Sequence, residues 1–188
     1  ALPKLTGWPL GAGLGGVTCW GRDQQGQVAD APTTGAWTLL TSGFRFSCAL
    51  NSADDPVCWG DATVTGAAAP DPGPWVQLVA GQDYACALRS TGNIVCWGQF
   101  TEGLVQGHQL DEPFTDLALN SNLLETVCGV TVDGGVLCAG NDLAGRASDA
   151  PAGPGFEQVV GGKWSFCARG PTTGIACWGG GLFAQVAA

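Results

Sequence analysis

With 188 residues, 31 glycines, 12% charged residues and a net charge of −9, the chain has room for one large domain or a short repeat array. It lacks the basic surface that phosphate neutralisation demands, so nucleic acid and anionic membranes are disfavoured as partners, and no run of about 20 apolar residues exists to span a bilayer. Nine cysteines with no CxxC spacing, beside the single histidine His108, favour disulfides in an oxidising, extracellular compartment over a zinc site.

The chain starts at Ala1 with no methionine and no visible signal peptide, which fits a processed mature form. No N-x-S/T sequon is present, so N-glycosylation is not expected. Leu2 to Gly7 stands for a first strand, but Trp8-Pro9 falls near the place of a cysteine, and Cys19-Trp20-Gly21 is a motif without its first half. From residue 37 onward the same unit recurs. Cysteines ten positions apart pair as Cys48 with Cys58, Cys86 with Cys96, Cys128 with Cys138 and Cys167 with Cys177. The second cysteine precedes Trp59-Gly60, Trp97-Gly98, Ala139-Gly140 and Trp178-Gly179. An aromatic stands eleven positions before the first cysteine at Trp37, Trp75 and Phe156; Phe114 stands fourteen before, which marks a three-residue insertion. The terminal LFAQVAA aligns with QQGQVAD of the first copy. Self-similarity at this period means a repeat architecture. The expectation is one domain, residues 1–188, of five units near 1–36, 37–74, 75–113, 114–155 and 156–188.

Within a unit, Cys86-Ala-Leu-Arg-Ser-Thr-Gly-Asn-Ile-Val-Cys96 places two alternating runs around a polar turn, the signature of a β-hairpin. A turn centred on Thr91 puts the two cysteines opposite each other, within disulfide range. A helix would separate them by about 15 Å. Each unit then reads as three strands, with a fourth short one around the GQV segment. Such sheets bury their faces by stacking around an axis. The tryptophans of the CWG motif are expected between neighbouring blades.

The pattern W-x-x-L…G…x-C-A-L-x-x-x-G-x-V-x-C-W-G…G-Q, clearest in residues 75–106 and 156–186, resembles the RCC1-type repeat, in the cysteine-paired form of Crinkly4-type receptor-kinase ectodomains and of secreted bacterial and algal proteins. The resemblance implies an all-β, five-repeat β-propeller with one hairpin disulfide in each of four blades. It implies a rigid disc that presents loops to proteins or sugars. Familiar members have seven blades and longer repeats, and the nuclear exchange activity of the family does not carry over to an acidic, disulfide-bonded chain.

No GxSxG, HExxH or phosphate loop is present, and His108 sits in a polar loop, so no enzyme, cofactor or metal is expected. Gly11 to Gly16 mimics a nucleotide loop but has no βαβ context. The acids Asp54, Asp55, Asp133, Asp142 and Asp149 fit turns, with a weak Ca²⁺ site as the alternative. Between the first two strands of successive units fall Arg45, Gln82-Asp83-Tyr84, Asn122 and Lys163-Trp164. Arg45, Asp83, Tyr84, Lys163 and Trp164 are the expected binding residues, since Trp, Tyr and Arg dominate interface energetics. The function expected is a non-catalytic extracellular scaffold for a protein or glycan partner. The alternative is a structural subunit of a filament or wall layer that assembles head to tail; the unpaired Cys19 reads either as an intermolecular bridge or reactive thiol or, equally, as a buried free thiol packed under Trp8.

Overall fold

The computed structural model describes residues 15–65, 70–99, 112–121, 125–143 and 145–180. These hold four three-stranded antiparallel sheets, each a meander. Blade 1 is β1 (Trp37–Ser42), β2 (Phe46–Asn51) and β3 (Pro56–Gly60), followed by a single helical turn, α1 (Ala62–Thr65). Blade 2 is β4 (Trp75–Ala80), β5 (Tyr84–Arg89) and β6 (Ile94–Gly98). Blade 3 is β7 (Phe114–Leu119), β8 (Thr126–Thr131) and β9 (Val136–Gly140), and blade 4 is β10 (Gln158–Gly161), β11 (Ser165–Gly170) and β12 (Gly174–Gly179). Residues 15–36 form turns and extended segments without a strand, so the described residues carry four blades rather than five. The abbreviated first unit lacks the cysteine-paired hairpin from which the others are built.

In every blade the two cysteines are register partners, and the disulfides Cys48–Cys58, Cys86–Cys96, Cys128–Cys138 and Cys167–Cys177 close across Cα–Cα distances of 4.0–4.1 Å. The three-residue insertion of the third repeat lies in the β7–β8 turn, between Asn120 and Thr126, whose backbones still bond across the turn. The GQV segment is not a fourth strand. Residues 27–30 are a turn, tied by Asp23 Oδ1, which accepts the N–H of Val28 and Ala29. Asp142 does the same for Ala147 and Ser148.

The glycine of the CWG motif has a mechanical reason. Gly60, Gly98 and Gly140 have φ of +104°, +115° and +109°, and a Cβ on Gly60 would lie 2.5 Å from the Arg45 carbonyl oxygen. That approach lets the next residue donate its N–H to the turn between the first two strands: Asp61 to Arg45 O, Gln99 to Asp83 O and Asn141 to Glu125 O.

The core is a series of seams. The back of blade 1 (Phe46, Cys48, Leu50, Val64) packs on the front of blade 2 (Trp75, Leu78, Ala85, Ala87, Trp97). Blade 2 meets blade 3 through Tyr84, Cys86 and Leu88 against Phe114, Leu117, Leu119 and Val127. Blade 3 meets blade 4 through Cys128, Val130 and Cys138 against Phe156, Val159, Phe166 and Trp178. Polar groups thread the same seams. Gln77 donates to Asp116 Oδ1 at 2.9 Å, and Asp116 Oδ2 accepts the Val159 N–H at 2.7 Å, so one carboxylate joins the first strands of three blades.

Candidate functional site

The third residue before the first cysteine is Arg45, Asp83, Glu125 and Trp164 in the four blades. All four stand in the turn between a blade's first and second strands, and repeat stacking lines these turns along one rim. The row is electrostatically connected. Arg45 Nε lies 3.1 Å from Asp61 Oδ2, and its Nη2 lies 3.6 Å from Asp83 Oδ1 in the next blade. Burial, and then repulsion from Asp83, raise the Glu125 carboxyl to about 7. In blade 4 the ammonium of Lys163 and the guanidinium of Arg146 stand 5.5 Å and 5.9 Å from the Trp164 ring, within cation–π reach. The rim thus runs from a paired arginine through two acids to an aromatic flanked by cations.

The expected binding residues separate in this frame. Lys163 and Trp164 are exposed on the rim, as is Phe44 beside Arg45. Arg45 is half-buried and Asp83 buried, joined to each other across the blade 1–blade 2 seam. Tyr84 is not a surface contact at all. Its side chain is buried in the blade 2–blade 3 seam, with the hydroxyl donating to Asn120 Oδ1 (2.9 Å) or the Thr126 carbonyl (3.2 Å). An alternating strand sends neighbours to opposite faces, and Tyr84 starts β5 on the face shared with Cys86 and Leu88, which is interior. Desolvation, reinforced by Glu125, keeps the phenol protonated. Asn122, His108, Trp8 and residues 11–14 of the glycine run lie outside the described residues. Asp142 is exposed and held below the usual carboxylate range by hydrogen bonds from Ser148 and Ala147, which is turn chemistry. Glu125 was not singled out by the sequence, although counting three positions back from Cys128 finds it.

A second feature opens on the front of blade 1, a groove of about 500 Å³ between residues 18–28 and β1 with its following turn. Trp20, Leu40 and Phe44 line it and are exposed, with Ser42 and Ser47 bonded to each other at 3.1 Å between their hydroxyls. Cys19, the only free cysteine of the chain, lies on its wall and is partly buried. Val17, Cys19 and Ala31 pack against Ala49, Trp59 and Trp37, so the first unit covers part of this face.

Residues 75–103 match the Regulator of chromosome condensation (RCC1) repeat. The chain superposes on the ectodomain of the Physcomitrella patens receptor kinase CR4 with a TM-score of 0.69 at 24% identity, over 89% of this chain and 47% of that one. The CRINKLY WD40 ectodomain of the Arabidopsis thaliana receptor kinase ACR4 gives 0.69 at 23% identity, over 93% and 60%. Yeast RCC1 (Prp20), solved bound to Kap60, gives 0.54 at 13% identity, over 80% and 48%. The four hairpin disulfides agree with a disulfide-bonded variety of the RCC1 fold. This chain spans between 47% and 60% of the lengths of these three proteins. No curated protein sequence matches it.

Proposed function

We propose that this chain is a non-catalytic extracellular scaffold whose rim of inter-strand turns binds a protein. The observation that carries this reading is the row Arg45, Asp83, Glu125 and Lys163-Trp164, one turn from each of four stacked blades, with Phe44 and Trp164 presented outward. A rigid frame that fixes charged and aromatic turn residues side by side supplies preorganised contacts, which reduces the ordering cost of association. Arg45 and Asp83 on the rim are tied to each other across a seam, which fits a fixed binding surface. The four disulfides suit an oxidising compartment, and the receptor ectodomains that share the fold are extracellular parts of kinases. The ligand on this reading is a protein; a glycan is the other outcome of the test. Candidate extracellular proteins and an oligosaccharide panel are titrated against the parent chain, Trp164→Ala and Lys163→Glu. Saturable protein binding weakened at least tenfold by both variants supports the reading. Binding of an oligosaccharide alone, or protein binding indifferent to both variants, overturns it.

A second reading is a structural subunit joined head to tail. It is favoured by Val160 and Ile175, exposed on the back of blade 4 at positions that Ala118 and Val136 fill as buried residues in blade 3. Sedimentation across a concentration series tests it. Polymers that vanish in Ile175→Asp support it, and a monomer at every concentration ends it.

A further inference from the structure

Arg146 lies in the connection into blade 4, at the place that Gln27 holds in the connection into blade 1, each eight positions after the second cysteine of its unit. What the two residues share is a backbone task. Each carbonyl accepts an indole N–H, from Trp178 and from Trp59. A neutral glutamine serves for it at 27, so this fastening does not call for a cation at 146. Yet the Arg146 side chain is fully buried (0% exposed), and only its Nη2 has a partner among the described residues, Asn141 Oδ1 at 3.0 Å. Nε and Nη1, which carry most of the guanidinium's N–H donors, have none. The ionisable groups whose fields reach the guanidinium are Tyr84 and Asp142. Burial keeps the Tyr84 phenol protonated, and Asp142 Oδ1 is taken by the N–H groups of Ala147 and Ser148. A buried cation with open donors is costly until an anion completes it.

Trp164 lies against this guanidinium, 5.9 Å from ring centre to Cζ, and is itself 46% exposed, with the Lys163 ammonium 5.5 Å from the same ring. The indole belongs to the rim turn of blade 4, so a swing of this one side chain opens the Arg146 donors to the rim. We infer that Arg146 is the base of a recessed carboxylate receptor, with Trp164 as its movable wall and Lys163 at its mouth, which takes a glutamate or aspartate side chain of the protein partner. The planar guanidinium matches a carboxylate in shape as well as charge, and hydrogen bonds between two charged groups are among the strong ones. The chain's net charge of −9 repels an acidic partner from most of its surface. The two cations gathered around Trp164 leave such a partner one favourable place to dock, which sets its register on the rim.

The inference rests on the rim-binding reading and names the chemistry of its partner. The chain, isotope-labelled at arginine and tryptophan, is titrated with the peptide amide acetyl-Ala-Ala-Glu-Ala-Ala, with its glutamine twin and with inorganic sulfate, and followed by nuclear magnetic resonance. The expected result is a saturable shift of the Arg146 Nε–H and Trp164 indole resonances by the glutamate peptide, with a dissociation constant at least tenfold below those of the glutamine twin and of sulfate. Arg146→Gln copies the side chain of Gln27 and keeps the carbonyl that Trp178 needs; it weakens the glutamate peptide at least tenfold, read at the Trp164 indole. Arg146→Lys keeps the charge without the planar fork and loses the preference for the peptide over sulfate, which carries the test should the glutamine variant not fold. No shift at Arg146, the result for a site already filled from within the chain, overturns the inference. So does an equal response to the glutamine twin, or sulfate bound as tightly as the glutamate peptide. A protein ligand weakened by Trp164→Ala and Lys163→Glu but not by Arg146→Gln ends the carboxylate receptor and leaves the rim reading standing; a ligand indifferent to all three ends the rim reading itself.

Discussion

Trp178 donates its indole N–H to the carbonyl oxygen of Arg146 at 2.8 Å, across 32 residues of sequence. Trp59 donates in the same way to Gln27, also 32 residues away, at 3.2 Å. Gln27 and Arg146 are eighth after Cys19 and Cys138, so one bond recurs at two seams: the tryptophan of a blade fastens the connection that leads into that blade. In blade 2 the buried Trp97 Nε1 has no such acceptor among the described residues.

Trp178→Phe and Trp59→Phe are expected to be more destabilising than Trp97→Phe by about 1–2 kcal/mol, the range for leaving a buried carbonyl without its donor. Phenylalanine keeps most of the ring burial in all three, so the difference isolates the indole N–H. Urea midpoints of the three variants at constant m-value measure it; equal midpoints would remove the fastening role.

Tyr84→Phe is expected to lower stability by about 1–2 kcal/mol, since the hydroxyl is inside the seam and its partners there lose their donor. Asn120 Oδ1 keeps the Thr126 N–H, which limits the loss. If Tyr84 acted at the surface, the variant would change binding and leave the urea midpoint alone.

Glu125 makes stability fall as pH rises. Its carboxyl titrates near 7 in the folded chain, against an ordinary value of 4.5. Between those values the folded state holds a proton that the unfolded state has released, so raising the pH through this window favours unfolding. Above the folded value both states are ionised and the effect levels off. Asp116, also raised, acts in the same direction, and Asp142, lowered, acts in the opposite one. Glu125→Gln therefore flattens the part of the profile that belongs to Glu125 and raises the melting temperature more at pH 8 than at pH 4.5. An identical gain at both pH values would show that repulsion from Asp83 and burial are not the cause.

Replacing Cys86 and Cys96 together by alanine is expected to cost about 2.8 kcal/mol, from the chain entropy of a loop of this size. The same replacement in blade 4 is expected to leave blades 1 to 3 folded, because a repeat array is stabilised mainly through nearest neighbours. Hydrogen exchange resolved by blade distinguishes local opening from global loss.

The cysteine pairs, the strands around them and the aromatic that opens a blade were legible because each is a local pattern repeated in register. Leu78 and Leu117 are buried for reasons visible in the sequence, since aliphatic residues alternate with polar ones on one strand face. What stayed hidden depends on which neighbour is present. Leu40 has the same local sequence context as Leu78, yet it is exposed where Leu78 is buried. Tyr84 sits in the turn register but one position past its tip, and strand alternation turned it inward. The GQV segment carries strand-forming Val28, yet Asp23 takes the backbone N–H groups a strand would have used. The role of Asp116 appears only when Gln77 and Val159 are brought to it from 39 and 43 residues away.

Every disulfide joins two strands of one blade, and none crosses a seam. Under a pulling force along the chain, the covalent ties therefore do nothing to hold one blade to the next, and the seams part first. Inside a blade the situation reverses. Each bridge withholds the nine residues between its cysteines from extension, about 30 Å of contour that stays folded back even when the surrounding strands have opened. A tethered molecule would lengthen in short, equal steps and stop well before its full contour, and a reducing agent would release the remainder.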